Sequence, residues 1–161
     1  MKVDYVFSRN KKWGSRLIAW AAKYEKVGLD KNPSHVGVLL NDAWVVESTF
    51  STGVRVLPYE SWKKINEELY RIPCAQKYRS SNDVMSHTKH IWGKKYDWFG
   101  VLYFAISYLR LILFNKPLPK KNKWQRNSRY FCTEYPGRLV SQDYSMTSPA
   151  RMCAEWLGSV K

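Results

Sequence analysis

Residues 34–50, SHVGVLLNDAWVVESTF, hold two apolar runs of β-forming residues on either side of a short polar stretch. Runs of this kind, rich in valine and bounded by turn-forming residues, predict β-strands. We therefore expect strands over residues 34–40 and 44–49, joined by a short hairpin loop. His35 at the start of the first strand and Glu47 within the second are unusual residues for such apolar runs.

The length of the hairpin loop determines whether these two polar side chains share a face of the sheet. Opposed residues in a hairpin have a constant index sum, and side chains alternate between faces along each strand. A three-residue loop at residues 41–43 pairs Gly37 with Glu47 and places His35 diagonal to Glu47 on the same face, whereas a two-residue loop would separate them. A carboxylate that orients an imidazole leaves the second ring nitrogen available as a base. The alternative interpretation is a hydrogen-bonded polar pair at the edge of a sheet.

The rest of the chain predicts an α+β protein whose strands are concentrated in its first half. Further strands are expected over residues 3–7, 53–58 and 68–72. Helical segments are expected over residues 16–24, 59–64, 84–92, 98–114, 133–142 and 149–157. The chain has 161 residues and no visible internal repeat, which favours one domain. We expect a small antiparallel sheet or partial barrel packed against helices.

The chain is strongly basic and rich in aromatic residues. Lys and Arg number 27 against 13 Asp and Glu, for a net charge of +14, and aromatic residues make up 16% of the chain. Such a composition predicts attraction to an anionic partner: a phospholipid surface, an acidic cell-wall polymer or, with less support, nucleic acid.

Half of the excess positive charge lies in residues 99–129, which contain no acidic residue and include Lys116, Lys120, Lys121 and Lys123. The charge follows the apolar stretch 98–114, and an apolar segment with a basic flank is typical of elements that lie on membranes. These four lysines are therefore candidate membrane- or anion-binding residues. The alternative interpretation is a buried core helix followed by a solvated basic loop.

Several classes of protein are disfavoured by the sequence. Three cysteines cannot form the disulfide framework of a small secreted domain, and Cys74 and Cys153 are interpreted as packed structural residues. The N-terminal residues lack the apolar segment of a signal peptide, so we expect synthesis in a cytoplasm, with possible peripheral association with a membrane or envelope. The 17-residue apolar stretch contains Arg110 and is short for a bilayer-spanning helix. No nucleotide or metal motif is present, and His87 with His90 is interpreted as a surface pair, so no cofactor is expected.

A third reactive residue stands just before the predicted helical region of residues 133–142. This is Cys132, in the sequence YFCTE. The positive end of a helix dipole favours the thiolate form of a cysteine at this position. Pro136 fits only the first turn of a helix and thereby limits where that helix can begin. Together with His35 and Glu47, the cysteine would supply a nucleophile, a general base and an orienting carboxylate.

Several short pieces follow one another in a set order over most of residues 1–140: Ser34-His35-Val36-Gly37-Val38, Val46-Glu47-Ser48, Gly53-Val54, Tyr70-Arg71, Tyr96-Asp97-Trp98 and Tyr130-Phe131-Cys132-Thr133-Glu134. In ordinary papain-like enzymes the cysteine precedes the histidine, whereas here the histidine comes first. This order resembles the circularly permuted papain-like cysteine hydrolases of the NlpC/P60 superfamily, especially the YiiX/YebB-like branch.

The resemblance implies a permuted papain-like architecture in a single domain over residues 1–161, with an apolar and basic insertion at about residues 98–129. It also implies that Cys132 is the nucleophile, His35 the general base and Glu47 the third, orienting residue, with no cofactor required. Two further residues, Tyr96 and Asp97, are candidates for lining the cleft, with packing and a turn as the alternative.

The activity implied by the resemblance is cleavage of amide bonds, typically in cell-wall peptides, through a thioacyl intermediate. Two other functions stay open. Related permuted enzymes of the lecithin:retinol acyltransferase type transfer or hydrolyse acyl groups on lipids, and a membrane-associated protein with the same triad would do likewise. Alternatively, a basic and aromatic protein could bind nucleic acid or an anionic polymer without catalysis.

Overall fold

The computed structural model describes residues 2–74, 81–126, 128–140 and 142–158. Residue 127, within the expected insertion at about residues 98–129, and residue 141, within the predicted helical region 133–142, lie outside the described residues. Within the described part, five strands form one sheet: β1 (Val3–Arg9), β2 (His35–Leu40), β3 (Trp44–Thr49), β4 (Gly53–Pro58) and β5 (Glu67–Pro73). The strand order is β4-β3-β2-β1-β5 and every pairing is antiparallel. The sheet is open, with β4 and β5 as its edges.

Helices follow and interrupt these strands, so the predicted α+β class is confirmed. The described helices are α1 (Trp13–Ala21), α2 (Tyr59–Ile65), α3 (Ser81–Ile91), α4 (Trp98–Phe114), α5 (Glu134–Leu139) and α6 (Pro149–Trp156), with a 3-10 turn at Ala22–Glu25. The bounds of β3, β4 and α4 match the predicted ones. The predicted helical region at residues 133–142 is shorter in the structure, because α5 ends at Leu139.

The predicted three-residue hairpin loop between β2 and β3 is confirmed. Gly37 is opposite Glu47, which is the register that the loop length implies. Asn41 and Asp42 in the loop have left-handed backbones, with φ of 51° and 55°. Asn and Asp adopt this conformation more readily than other residues with side chains, which explains why the chain turns here.

The sheet is covered on both faces, since its strands alternate between two apolar clusters. Side chains such as Phe7 and Val38 pack with residues of α3, α5 and α6 in the larger cluster. Val6, Leu39 and Val45 point to the opposite face, where they pack against α2 and its buried Trp62. Side chains two residues apart on a strand lie on the same face. His35 therefore shares the face of Leu39, and Glu47 shares the face of Val45, so both lie on the side of α2.

Backbone contacts attach the segment after α3 to the edge strand β4. The amide of Val54 donates to the carbonyl of Lys94 at 3.0 Å, and the amide of Gly93 donates to the carbonyl of Val54 at 3.1 Å. These contacts hold Lys94 directly against Gly53, and they position the chain that leads into α4.

Two glycines at this junction provide a matched test of the packing. Gly53 and Gly93 both have left-handed backbones, but a Cβ at Gly53 would lie 2.0 Å from the carbonyl oxygen of Lys94, while one at Gly93 would meet nothing within 4 Å. We expect Gly93→Ala to lower the free energy of unfolding by about 1–2 kcal/mol, from backbone strain alone. Gly53→Ala should cost at least about 3 kcal/mol, because the clash adds to the strain. Urea denaturation of both variants checks this, and equal losses would contradict the close approach.

Candidate active site

His35 and Glu47 meet across the β2–β3 hairpin, as the predicted register requires. The Nε2 atom of His35 lies 2.7 Å from the Oε2 atom of Glu47. The histidine is the first residue of β2 and its side chain is mostly buried, while the Glu47 side chain is 1% exposed. The hairpin alone therefore places a carboxylate behind the imidazole and leaves the ring's Nδ1 atom for another partner.

Glu47 accepts hydrogen bonds on both of its oxygens from three side chains. Arg55 on β4 donates to Oε1 through Nε at 2.9 Å and through one terminal nitrogen at 2.5 Å. The indole Nε1 of Trp62 donates to Oε2 at 2.9 Å from the buried side of α2. With His35 as the remaining partner, the carboxylate uses the full hydrogen-bonding capacity of its two oxygens. Its position and orientation are accordingly determined by three separate elements.

The electrostatics of the pair favour its charged form. Burial acts to raise the pKa of Glu47, but the charges and hydrogen bonds of His35 and Arg55 outweigh burial and lower the pKa to about 2. Burial acts to lower the pKa of His35, but Glu47 and Cys132 outweigh it and raise the pKa to about 10. An imidazolium next to a carboxylate is therefore the stable state of the pair near neutral pH.

Cys132 approaches His35 from the other layer of the molecule. It lies in the turn before α5, is 6% exposed and belongs to the larger apolar cluster. Its side chain is hydrogen-bonded to His35, and this bond is among the interactions that raise the histidine's pKa. Since Glu47 contacts Nε2, the Nδ1 atom is the one left for the sulfur. The structure thus brings together Cys132, His35 and Glu47, and their catalytic roles remain predictions.

Backbone contacts of Tyr130, two residues earlier in the chain, hold the segment that carries Cys132 in place. The hydroxyl of Ser48, next to Glu47 on β3, donates to the carbonyl of Tyr130 at 2.6 Å. Tyr130 also forms a parallel bridge with Tyr96. These contacts join the strand that carries the carboxylate to the segment that carries the sulfur.

The turn at Cys132 is closed by the first residue of α5. The carboxylate of Glu134 accepts from the amide of Phe131 at 2.9 Å. Pro136 is the third residue of α5, where the missing amide removes no intrahelical hydrogen bond, so the predicted placement of this proline in the first turn is confirmed.

Tyr96 and Asp97 are placed differently relative to the triad. Burial raises the pKa of Tyr96 well above its usual value, and the nearby Cys132 raises it further. Asp97 is fully buried, and its carboxylate accepts from the amide of Gly100 at 3.2 Å and from the amide of Arg126 at 3.0 Å. Tyr96 therefore borders the site, whereas the Asp97 carboxylate caps α4 and anchors the chain that follows it.

The remaining candidates lie away from the triad. Cys153 is completely buried, and burial raises its pKa to about 12. The thiol of Cys74 donates to the hydroxyl of Tyr5 at 3.1 Å. Within the described ranges, which include His87 and His90, no group of three or more His, Cys, Asp or Glu side chains could hold a metal ion. Exposed side chains follow α4 at Lys116, Lys120, Lys121 and Lys123.

Two residues that contact Glu47, Arg55 and Trp62, are not among the site residues predicted from the sequence. Arg55 is directly opposite Glu47 on β4, so the index-sum argument applied to the second hairpin, with its loop at residues 50–52, would have found it. Trp62 had no such signal, because only the packing of α2 against the sheet brings its indole to Glu47.

No family model matches the chain, and no curated protein and no solved structure matches it either. What the site can do chemically follows from its own residues.

Replacing the central carboxylate tests the ion pair. A histidine whose folded pKa is raised contributes stability that is fully present below its unfolded value of about 6.5 and is lost as the pH rises through about 10. Glu47→Gln should lower the free energy of unfolding by about 3 kcal/mol near pH 6, because it leaves buried donors without their anion. It should also remove this decline in stability between about pH 6 and pH 9. Urea denaturation at the two pH values measures both effects.

Glu67→Gln is the matched control, since Glu67 pairs with Arg9 and Lys31 on an exposed strand edge. We expect this change to cost less than about 1 kcal/mol and to leave the decline with pH intact. Equal behaviour of the two variants would show that the pair at Glu47 is no stronger than a surface ion pair.

Proposed function

We propose that the protein is a cysteine-dependent hydrolase of amide bonds, in which Cys132 is the nucleophile, His35 the general base and Glu47 the orienting residue. The single observation that supports this most is that His35 is hydrogen-bonded both to a fully paired carboxylate and to a cysteine thiol. Covalent catalysis by a thiol requires a base in contact with the nucleophile and a third group that orients the base.

The proposed reaction begins from a thiolate–imidazolium pair, in which the Cys132 proton has already passed to Nδ1 of His35. The raised pKa of His35 favours a proton on the ring. The thiolate attacks the carbonyl carbon, and in the proposed step the backbone amide of Cys132 donates to the developing oxyanion. The imidazolium then protonates the leaving amine as the carbon–nitrogen bond breaks, which leaves a thioester on Cys132. Water, deprotonated by His35, attacks the thioester and releases the acid and the free thiol.

In this reaction Glu47 keeps the imidazole ring of His35 in one orientation and stabilises the imidazolium. The hydrogen bonds from Trp62 and Arg55 hold the Glu47 carboxylate in its own orientation, so these two are positioning residues. The resemblance to permuted NlpC/P60 enzymes supports the same three roles and favours a peptide amide as the substrate.

A second candidate is a hydrolase or acyltransferase of lipid acyl groups with the same triad. The observation in its favour is an aromatic cluster beside the site. Phe50, Tyr96 and Trp98 pack with ring centroids within about 6 Å of one another. Phe50 and Trp98 are exposed, and Tyr96 borders Cys132. An acyl chain would find apolar surface at this position.

Chemical labelling tests the nucleophile without knowledge of the natural substrate. In the native protein, iodoacetamide should alkylate Cys132 first and leave buried Cys153 unmodified, as read by peptide mass spectrometry. Incubation with p-nitrophenyl acetate should acetylate Cys132. The acetylation rate should fall by at least about 100-fold in His35→Gln, because the general base is gone.

Cys132→Ala should abolish both modifications at this position, while Cys153→Ala should leave both unchanged. An unreactive Cys132 in the folded wild type would overturn the hydrolase proposal and favour a non-catalytic anion binder. A protein of that kind would show polyanion binding that weakens steeply with salt.

A further inference from the structure

The outer face of α4 is apolar, which is the reverse of an ordinary surface helix. Its buried positions are small or polar and comprise Gly100, Ser107 and Tyr108. Six exposed apolar residues form one stripe along the helix, with 41–64% of each residue accessible: Trp98, Phe99, Leu102, Ile106, Leu109 and Leu113. At 100° per residue these six side chains lie within about a third of the helix circumference. We call this stripe the α4 apolar face.

An apolar face of this extent requires an occupant. Soluble proteins rarely expose contiguous apolar patches larger than a few hundred square ångströms, and larger ones mark interaction sites. The helix has 17 residues, so the face is about 25 Å long. No helix in the described part of the chain is long and apolar enough to cross a bilayer, and α4 is instead packed on the protein along its inner side.

The basic chain after α4 runs back along the helix. The side-chain amide of Asn122 donates to the carbonyl of Gly100 at 2.8 Å, and the amide of Arg126 donates to Asp97 at 3.0 Å, so residues 115–126 return from the end of α4 to its beginning. Between these two contacts, Trp124 packs against Tyr103.

Positive charge consequently borders the α4 apolar face. The guanidinium of Arg126 lies 4.4 Å from the ring centre of Phe99. Arg110 is exposed at the margin of the stripe, and the returning chain carries exposed Lys116, Lys120, Lys121 and Lys123. Between residues 99 and 129 no acidic side chain offsets this charge.

From this combination we propose that the α4 apolar face and its basic border dock the protein on an anionic phospholipid bilayer. The helix lies in the plane of the interface, with its apolar side chains among the acyl chains and the lysines at the phosphates. Charge complementarity favours this occupant over a second copy of the chain, because a symmetric dimer would bring two such cationic borders together in a molecule of net charge +14. The proposal does not depend on the proposed hydrolase activity.

Docking in this way would bring the candidate site to the membrane surface. Trp98 at the start of the apolar face packs against Phe50 and Tyr96, and Tyr96 borders Cys132. The docked face and the triad are thus connected by one aromatic cluster.

Vesicle sedimentation with the full chain tests the proposal. We expect binding to phosphatidylcholine vesicles that contain about 30% phosphatidylglycerol, at least about tenfold weaker binding to pure phosphatidylcholine, and release by about 0.5 M NaCl. Changing Lys116, Lys120, Lys121 and Lys123 to Glu should weaken binding at least about tenfold. Leu102→Gln with Ile106→Gln should do the same without altering net charge, because it removes apolar contact.

Ile65→Gln is the matched control, since Ile65 is an exposed apolar residue at the end of α2, on the other side of the sheet. It should bind like the wild type, and circular dichroism verifies that each variant is folded. Cys132→Ala should also bind normally, which separates docking from the proposed catalysis.

Two results would overturn the proposal. Binding that is lost in the lysine variant but retained in the Leu102/Ile106 variant would show a polyanion-binding patch with no apolar insertion. A concentration-dependent dimer in sedimentation velocity, converted to monomer by Leu102→Gln with Ile106→Gln, would show that a second copy covers the face.

Discussion

The buried carboxylate of Glu47 is the constraint on which the arrangement of the site depends. An unpaired buried charge costs several kcal/mol, so this side chain is tolerated only where donors surround it. Its donors come from β2, β4 and α2, and it therefore fixes these elements relative to one another as well as the imidazole it contacts. A fully satisfied polar network of this kind makes the site rigid, which is what a base that must stay within reach of a thiol requires.

Local geometry explains why the centre of the site could be predicted from sequence. Hairpin pairing depends only on strand bounds and loop length, and the turn-forming residues at 41–43 set both. The same arithmetic reaches Arg55, which is in register with Glu47 on the next strand. The bounds of α4 were predictable for a related reason, because Asp97 caps its beginning and Asn115 adopts the left-handed conformation that ends it.

Features that arise from packing between distant elements could not be predicted in the same way. Nothing near Trp62 in the sequence indicates that its indole will donate to the carboxylate of Glu47, which lies 15 residues earlier in the chain. The sequence offers Asp97 as a cleft-lining candidate, whereas in the structure its carboxylate oxygens accept hydrogen bonds from backbone amides. The exposure of α4 was equally undetermined, because a helix that is apolar around most of its circumference has no face that the hydrophobic pattern marks as inner.

The contrast between near and distant contacts has a consequence for how the molecule assembles. His35 and Glu47 are 12 residues apart and join through a single turn, whereas Tyr130 must reach Ser48 across 82 residues before the sulfur can approach the ring. Contacts between distant segments form more slowly than local ones. A nascent chain would then hold an oriented imidazole well before it gains a thiol partner, so any reactivity of the triad would arise only when the whole polypeptide has folded.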